Sequence, residues 1–198
     1  MDQTSFPTNG ELRGKKILVI GSGNDIDGRK MQELIDGDTY DIIARVNKHY
    51  GSREDVGNRT DYVFTRWQQW LANEEWFTKD QLDNAKEIVV LNQFTALKKF
   101  DGFSQTEYQW LCTQVGHQQV SAGIQALAYF LNRGVATVDV IGYGCTNGKF
   151  KKTKEYTTGS QGTTPTHNMQ GNVDVNPSYD WHKEKTWAVN QAKVNFLF

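Results

Sequence analysis

The feature that most limits how this chain folds is a four-residue apolar run, Ile17-Leu18-Val19-Ile20, that stops at Gly21-Ser22-Gly23-Asn24. The run is too short for a helix and rich in β-branched residues, the pattern of a strand buried on both faces. The glycines let the backbone turn sharply and approach a ligand with no Cβ in the way. Beyond Gly28 the apolar spacing becomes helical, with Met31, Leu34 and Ile35 on one face. Strand, glycine turn and helix form a phosphate cradle, because the orphan amides and dipole of a helix start favour an anion. The spacing of Gly21, Gly23 and Gly28 is not G-x-G-x-x-G, so the dinucleotide fingerprint fails and a nicotinamide oxidoreductase is the least favoured reading.

A second strand, Tyr40–Val46, delivers Asn47 at its end. If it runs parallel to the first, Asn47 and the glycine turn share the sheet edge where open α/β sheets bind ligands. Val120–Gly144 repeats the theme in reverse order. Ser121 fits a helix cap, Ile124, Leu127, Ala128 and Leu131 form an apolar face, and Gly134 fits a helix stop. Val138–Ile141 then reads as a buried strand ending in Gly142-Tyr143-Gly144. This second stretch alone is equally well read as an ordinary α/β unit.

With 198 residues there is room for one domain with a full core. Mean hydropathy of −0.65 is low, but 12% aromatic residues, six of them Trp, exclude a disordered chain. The net charge of −1 disfavours a protein that tracks nucleic-acid phosphates. No signal-like or membrane-length apolar run is present, and Cys112 and Cys145 form no ligand-spaced motif. A reduced, cytoplasmic compartment is therefore expected. Residues 1–14 read as a flexible polar tail before a domain spanning 15–198.

Between the two informative stretches, 66–77 reads as a helix whose Trp67, Trp70, Leu71 and Glu74 share one face. That stripe is either core or a stacking surface for sugars. A helix start is expected at Thr78–Gln81, a central strand at Glu87–Leu91 and a helix at Glu107–Val115. Residues 145–178 lack period and apolar content, as in a long active-site loop, with Lys149, Lys151, Lys152, Lys154 and His167 inside it. A last helix is predicted from Ser178 towards Asn195, docked by Trp181, Ala188 and Phe196.

Taken together these residues resemble the family 29 glycosyltransferases, the sialyltransferases. The glycine turn, then I-D-x-x-x-Y-D-I-I-x-R-x-N, then D-V-G-N-R-T is similar to the large sialyl motif. Its matches are Gly21, Gly23, Asn24, Asn47 after Arg45, Asp55-Val56-Gly57 and Arg59-Thr60, with Ser22 where the family turn usually carries Asn. Ser121-Ala122-Gly123 and Gly142-Tyr143-Gly144 resemble the small sialyl motif, without the family's cysteine in the helix between them. The resemblance implies a three-layer α/β/α, Rossmann-like, mostly parallel sheet, a GT-A-like variant, in a single domain. It implies nucleotide contacts from Gly21, Ser22, Gly23, Asn24, Asn47, Ser121, Ala122, Gly123, Gly142, Tyr143 and Gly144. It also implies a CMP-sugar donor, a glycan acceptor and inversion, with no cofactor. The membrane anchor and disulfide of animal members have no counterpart here, which suggests a compact bacterial or viral version.

The family's last motif is His-x-x-x-x-Glu, whose His is the base. Aligned on Asp180-Trp181 and Glu184, that position falls on Tyr179, with His182 three residues later. Histidine suits a base at neutral pH, whereas tyrosine titrates near 10. His182, His167 and Tyr179 are accordingly the catalytic candidates, His182 first. Asp25-x-Asp27 and Asp36-x-Asp38 mimic a metal-binding D-x-D, but they lie at or near a helix and would oppose phosphate, so no metal site is expected. Two other readings remain: a same-fold transferase using another nucleotide sugar, such as a viral enzyme decorating DNA bases, and a non-catalytic nucleotide-binding module.

Overall fold

The apolar run forms strand β1 (Lys16–Ile20), and its four residues from Ile17 to Ile20 are completely buried. In the computed structural model the described residues are 12–21, 23, 26, 28–47, 52–65, 79–91, 103–143 and 180–197. Among them β1 is joined by β2 (Ile42–Val46), β3 (Tyr62–Thr65), β4 (Glu87–Val90), β5 (Thr137–Ile141) and β6 (Val194–Phe196). All pair in parallel, in the order β4-β3-β2-β1-β5-β6. The chain steps outward from β1 to β4 and then returns to lay β5 on the free side of β1. The strand order reverses between β1 and β5, which is where such sheets open a ligand crevice.

Helices α1 (Gln32–Asp36) and α2 (Arg53–Val56) cover one face, with Leu18, Ile20, Ile43 and Ile141 packed against Ile35 and Val56. On the other face Ile17, Val19, Ala44, Phe64 and Val140 meet α4 (Gln105–Val115), α5 (Ala122–Asn132) and α6 (Trp181–Val189). A short α3 (Lys79–Asn84) precedes β4. The α4 start is a capping box, Ser104 with Glu107, and α5 starts at Ser121 and is followed by Gly134 at φ 76°. Phe64, Tyr129 and Phe130 meet edge to face beneath the sheet, with centroids 5.2–5.4 Å apart. Among the described residues no helix is long and apolar enough to cross a membrane.

Three sequence expectations change. Order begins before the expected boundary at residue 15: Leu12 is buried and the Gly14 amide donates to Gly134 O at 3.1 Å. The helix expected after Gly28 is only five residues long and starts at Gln32, because Gly28 and Lys30 both take positive φ, 74° and 53°. The last helix stops at Val189 rather than running to Asn195. Val194, Asn195 and Phe196 alternate as a strand instead, with Val194 buried and Asn195 Nδ2 donating to Asp139 Oδ1 at 2.8 Å. The Trp67–Glu74 stripe and the 145–178 loop lie outside the described residues.

Candidate active site

Two turns meet at the carboxyl ends of β1 and β5. Gly21 N–H donates to Ile141 O, and Gly23 N–H donates to Gly142 O. The approach is so close that a Cβ on Gly21 would sit 2.5 Å from Gly142 O and 2.8 Å from the Tyr143 ring. Tyr143 in turn lies on the start of α5: its hydroxyl donates to Gly123 O at 3.0 Å, and a Cβ on Gly123 would meet its ring at 2.7 Å. Gly21, Gly123, Gly142 and Tyr143 are therefore one packed unit in which the three glycines have no room for a Cβ, and Gly23 is bonded to it.

Asn47 stands at the same edge, at the end of β2. It takes φ 57°, a left-handed conformation that Asn adopts more readily than other side-chain-bearing residues. Its amide donates to Phe64 O at 2.7 Å, while its side-chain Oδ1 is enclosed and has no partner among the described residues. A buried, unsatisfied amide oxygen costs free energy unless something else reaches it.

Two residues before Asn47 on β2, Arg45 is completely buried. Its Nε donates to Thr60 Oγ1 at 2.8 Å, and its Nη2 donates to Val56 O at 2.8 Å and Arg59 O at 2.9 Å. Burial pushes its pKa down to about 10, partly offset by the nearby Asp36 charge. The D-V-G-N-R-T segment is thus a brace. Asp36 Oδ1 accepts from the Asn58 and Arg59 amides, so this member of a D-x-D pair is already engaged.

Asp55 continues the brace to the chain beyond the first turn. Its Oδ1 accepts from Lys30 N at 2.9 Å, and the Lys30 and Gly28 amides hold its carboxyl below the usual carboxylate range. As pH falls the unfolded chain takes up this proton first, near 3.8. The stabilisation is complete above that value and is lost as pH drops through the lower folded one. Asp55→Asn is expected to flatten part of the acid limb of stability against pH; a limb unchanged below about pH 4 would show the amides contribute nothing.

Ser121 caps α5, but its polar atoms are turned towards α6. Its amide and hydroxyl donate to the two oxygens of Glu184, both at 2.7 Å, and Glu184 is buried. The next amides, Ala122 and Gly123, find no acceptor among the described residues, as first-turn amides do not within a helix. They point out of α5 beside the Gly21–Gly142 contact.

His182 lies on the first turn of α6. It precedes Glu184 by two positions, about 160° round the helix, and lines a groove with Gln114, Val115, Thr186 and Asn190. Ser22, Asn24, Gly144, His167, Tyr179, Asp25 and Asp27 lie outside the described residues. One imidazole that the sequence reading passed over does lie at this edge. His117, in the link from α4 to α5, has Nδ1 2.9 Å from Gln119 O. Among the described residues no three His, Cys, Asp or Glu side chains are grouped to hold a metal.

No protein-family model matches this chain, and no curated protein matches it in sequence. Solved structures do match. A mammalian sialyltransferase superposes with a TM-score of 0.57 at 14% identity, covering 92% of this chain and 68% of that one. A mammalian sialyltransferase in complex with Gal-β-1-3GalNAc-ortho-nitrophenol gives 0.54, 14%, 92% and 69%. The fold is that of a sialyltransferase. The sialyltransferase CstII from Campylobacter jejuni, in complex with the substrate analogue CMP-3FNeuAc, matches at 0.50 and 11% identity, over 92% of this chain and 78% of that one. Within this sialyltransferase-like fold, both turns read from the sequence fall at the switch point of the sheet, on the edge that also carries Asn47 and the start of α5.

Proposed function

We propose that this chain is a glycosyltransferase that moves a sialic-acid-like sugar from a CMP donor to a glycan acceptor, with inversion and without a metal ion. The observation that carries the reading is the meeting of two glycine turns beside an enclosed Asn47 Oδ1 that has no partner among the described residues. The Gly21 and Gly23 amides are engaged by β5 and its turn, and Ser121 is engaged by Glu184. Among the described residues, the donors left in these turns for a leaving phosphate are therefore the Ala122 and Gly123 amides, at the positive end of α5, where negative charge is stabilised without reorganisation. Asn47 Oδ1 accepts from a donor group of the nucleotide. CMP leaves as a monophosphate ester, which needs less countercharge than a nucleoside diphosphate. The sialyltransferase fold, and the CMP analogue and galactoside bound by two of the similar structures, support this donor and acceptor class.

The test is thermal stabilisation by a nucleotide panel. CMP at about a hundred times its Kd is expected to add about 2.7 kcal/mol, with UDP and NAD flat and EDTA without effect. Asn47→Gly keeps the left-handed backbone and removes the side chain. It should cost about 1 kcal/mol or less unliganded, yet abolish most of the CMP shift. A flat CMP titration, or a shift that needs manganese or magnesium, contradicts the reading.

A further inference from the structure

We propose that Tyr143 is a positioning residue of this site: its hydroxyl fixes the first turn of α5, so that the Ala122 and Gly123 amides are held ready for a phosphate before one arrives. The inference rests on the transferase reading above. It replaces the direct nucleotide contact that the sequence resemblance implies for Tyr143.

Tyr143 is 7% exposed, and its ring is a wedge between two elements. One edge, at Cδ2 and Cε2, lies 2.8 and 2.9 Å from the point where a Cβ on Gly21 would stand. The opposite edge, at Cε1, lies 2.7 Å from the corresponding point on Gly123. Phe196 on β6 closes a third side, edge to face, with centroids 6.4 Å apart. Packed on three sides, the ring fixes where its hydroxyl oxygen stands. That hydroxyl donates to Gly123 O at 3.0 Å. A carbonyl has two lone pairs, so the bond from Tyr143 does not displace the helix's own.

The first turn of α5 is thereby tied from two sides. At Ser121 the amide and hydroxyl donate to Glu184 of α6, both at 2.7 Å. At Gly123 the carbonyl is held by Tyr143, from the turn after β5. Between the ties lie the Ala122 and Gly123 amides, which have no acceptor among the described residues. A helix end frays when nothing holds it, and a ligand that binds a frayed turn must first order it. Glycine adds to that freedom, yet only glycine leaves room for the Tyr143 ring at position 123. The hydroxyl offsets the looseness that the glycine brings.

Because the tie acts through the two α5 amides, its loss is felt by the phosphate of a ligand and not by its nucleoside. The experiment removes the hydroxyl alone, with Tyr143→Phe. It measures the dissociation constants of CMP and cytidine by calorimetry, and the 15N order parameters of Ala122 and Gly123 in the unliganded protein. Expected are a CMP constant raised about 3–10-fold, the worth of one neutral hydrogen bond, and a cytidine constant within about twofold of wild type. Both order parameters should drop, while the melting temperature falls by no more than about 4 °C. Equal weakening of CMP and cytidine would make the hydroxyl merely structural and overturn the proposal, as would an unchanged CMP constant. Weaker CMP with unchanged order parameters overturns it as well, since the hydroxyl would then touch the phosphate itself. Wild type that binds cytidine as tightly as CMP overturns it while leaving a nucleoside site standing. Wild type that binds neither removes the transferase reading, and the positioning role with it.

Discussion

Gly142→Ala is expected to lower the melting temperature by about 4–20 °C and to abolish stabilisation by CMP. Two penalties add at this position. Gly142 sits at φ 72°, where a side chain costs about 1–2 kcal/mol. Its Cβ would also lie 2.6 Å from Gly21 O and 2.9 Å from Gly21 C, backbone atoms that cannot swing aside, which costs about 1–3 kcal/mol more. For a chain of this size each kcal/mol corresponds to about 2–4 °C. Gly134→Ala separates the two penalties, because Gly134 has φ 76° but nothing nearer to the added carbon than Arg13 Cγ at 3.9 Å. It should show the backbone penalty alone and keep its CMP response. Equal losses in the two variants would mean that the turns of β1 and β5 do not touch.

Glu107→Ala should be comparably destabilising, by about 3–5 kcal/mol, yet leave nucleotide binding intact in whatever folds. Glu107 Oε1 pairs with Arg133 Nη1 at 3.0 Å, and both side chains are more than nine-tenths buried. Its Oε2 also closes the α4 cap by accepting from Ser104 N at 3.0 Å. Removing it leaves the guanidinium buried over the Tyr129 ring, 3.5 Å from its centroid, with one carbonyl partner, Tyr129 O. The pair ties the start of α4 to the end of α5, the opposite end of both helices from the glycine turns. Chemical denaturation of the single variant and of Glu107→Leu with Arg133→Met is the measurement. The double replacement should recover most of the loss, since neither charge is then stranded. A single-variant cost below about 1 kcal/mol would mean that water reaches the pair.

Much of this was legible in the chain because the signals are local. Ile17–Ile20 can hardly be anything but a doubly buried strand. Ser121 and Gly134 mark the limits of α5 by cap chemistry that depends on a few neighbouring residues. The failures have long-range causes. The expected helix after Gly28 is delayed to Gln32 in a segment whose Lys30 amide is held by Asp55, 25 residues away. Val194–Phe196 becomes a strand because β5 offers it an edge, and no pattern in three residues announces that. Ser121 is legible as a helix cap, whereas its bonds to Glu184, 63 residues on, are not. Arg45 was legible as a motif residue but not as a brace, since its partners are mostly backbone carbonyls with no side-chain signature.

The reversal of strand order between β1 and β5 has a consequence for how the protein is made. β1 emerges from the ribosome well before β5 and can pair with β2 at once, but its other neighbour begins only at Thr137. Until then one side of this apolar strand is a bare edge, of the kind that recruits strands from other chains. Such distant pairings also slow folding, because loop closure must precede the contacts that reward it. The crevice at this junction is correspondingly late: neither Gly142 nor Tyr143 exists when Gly21 first turns. Nascent chains stalled before residue 137 should be aggregation-prone and unresponsive to nucleotide, and a ligand added during translation can act only on chains in which β5 has already arrived.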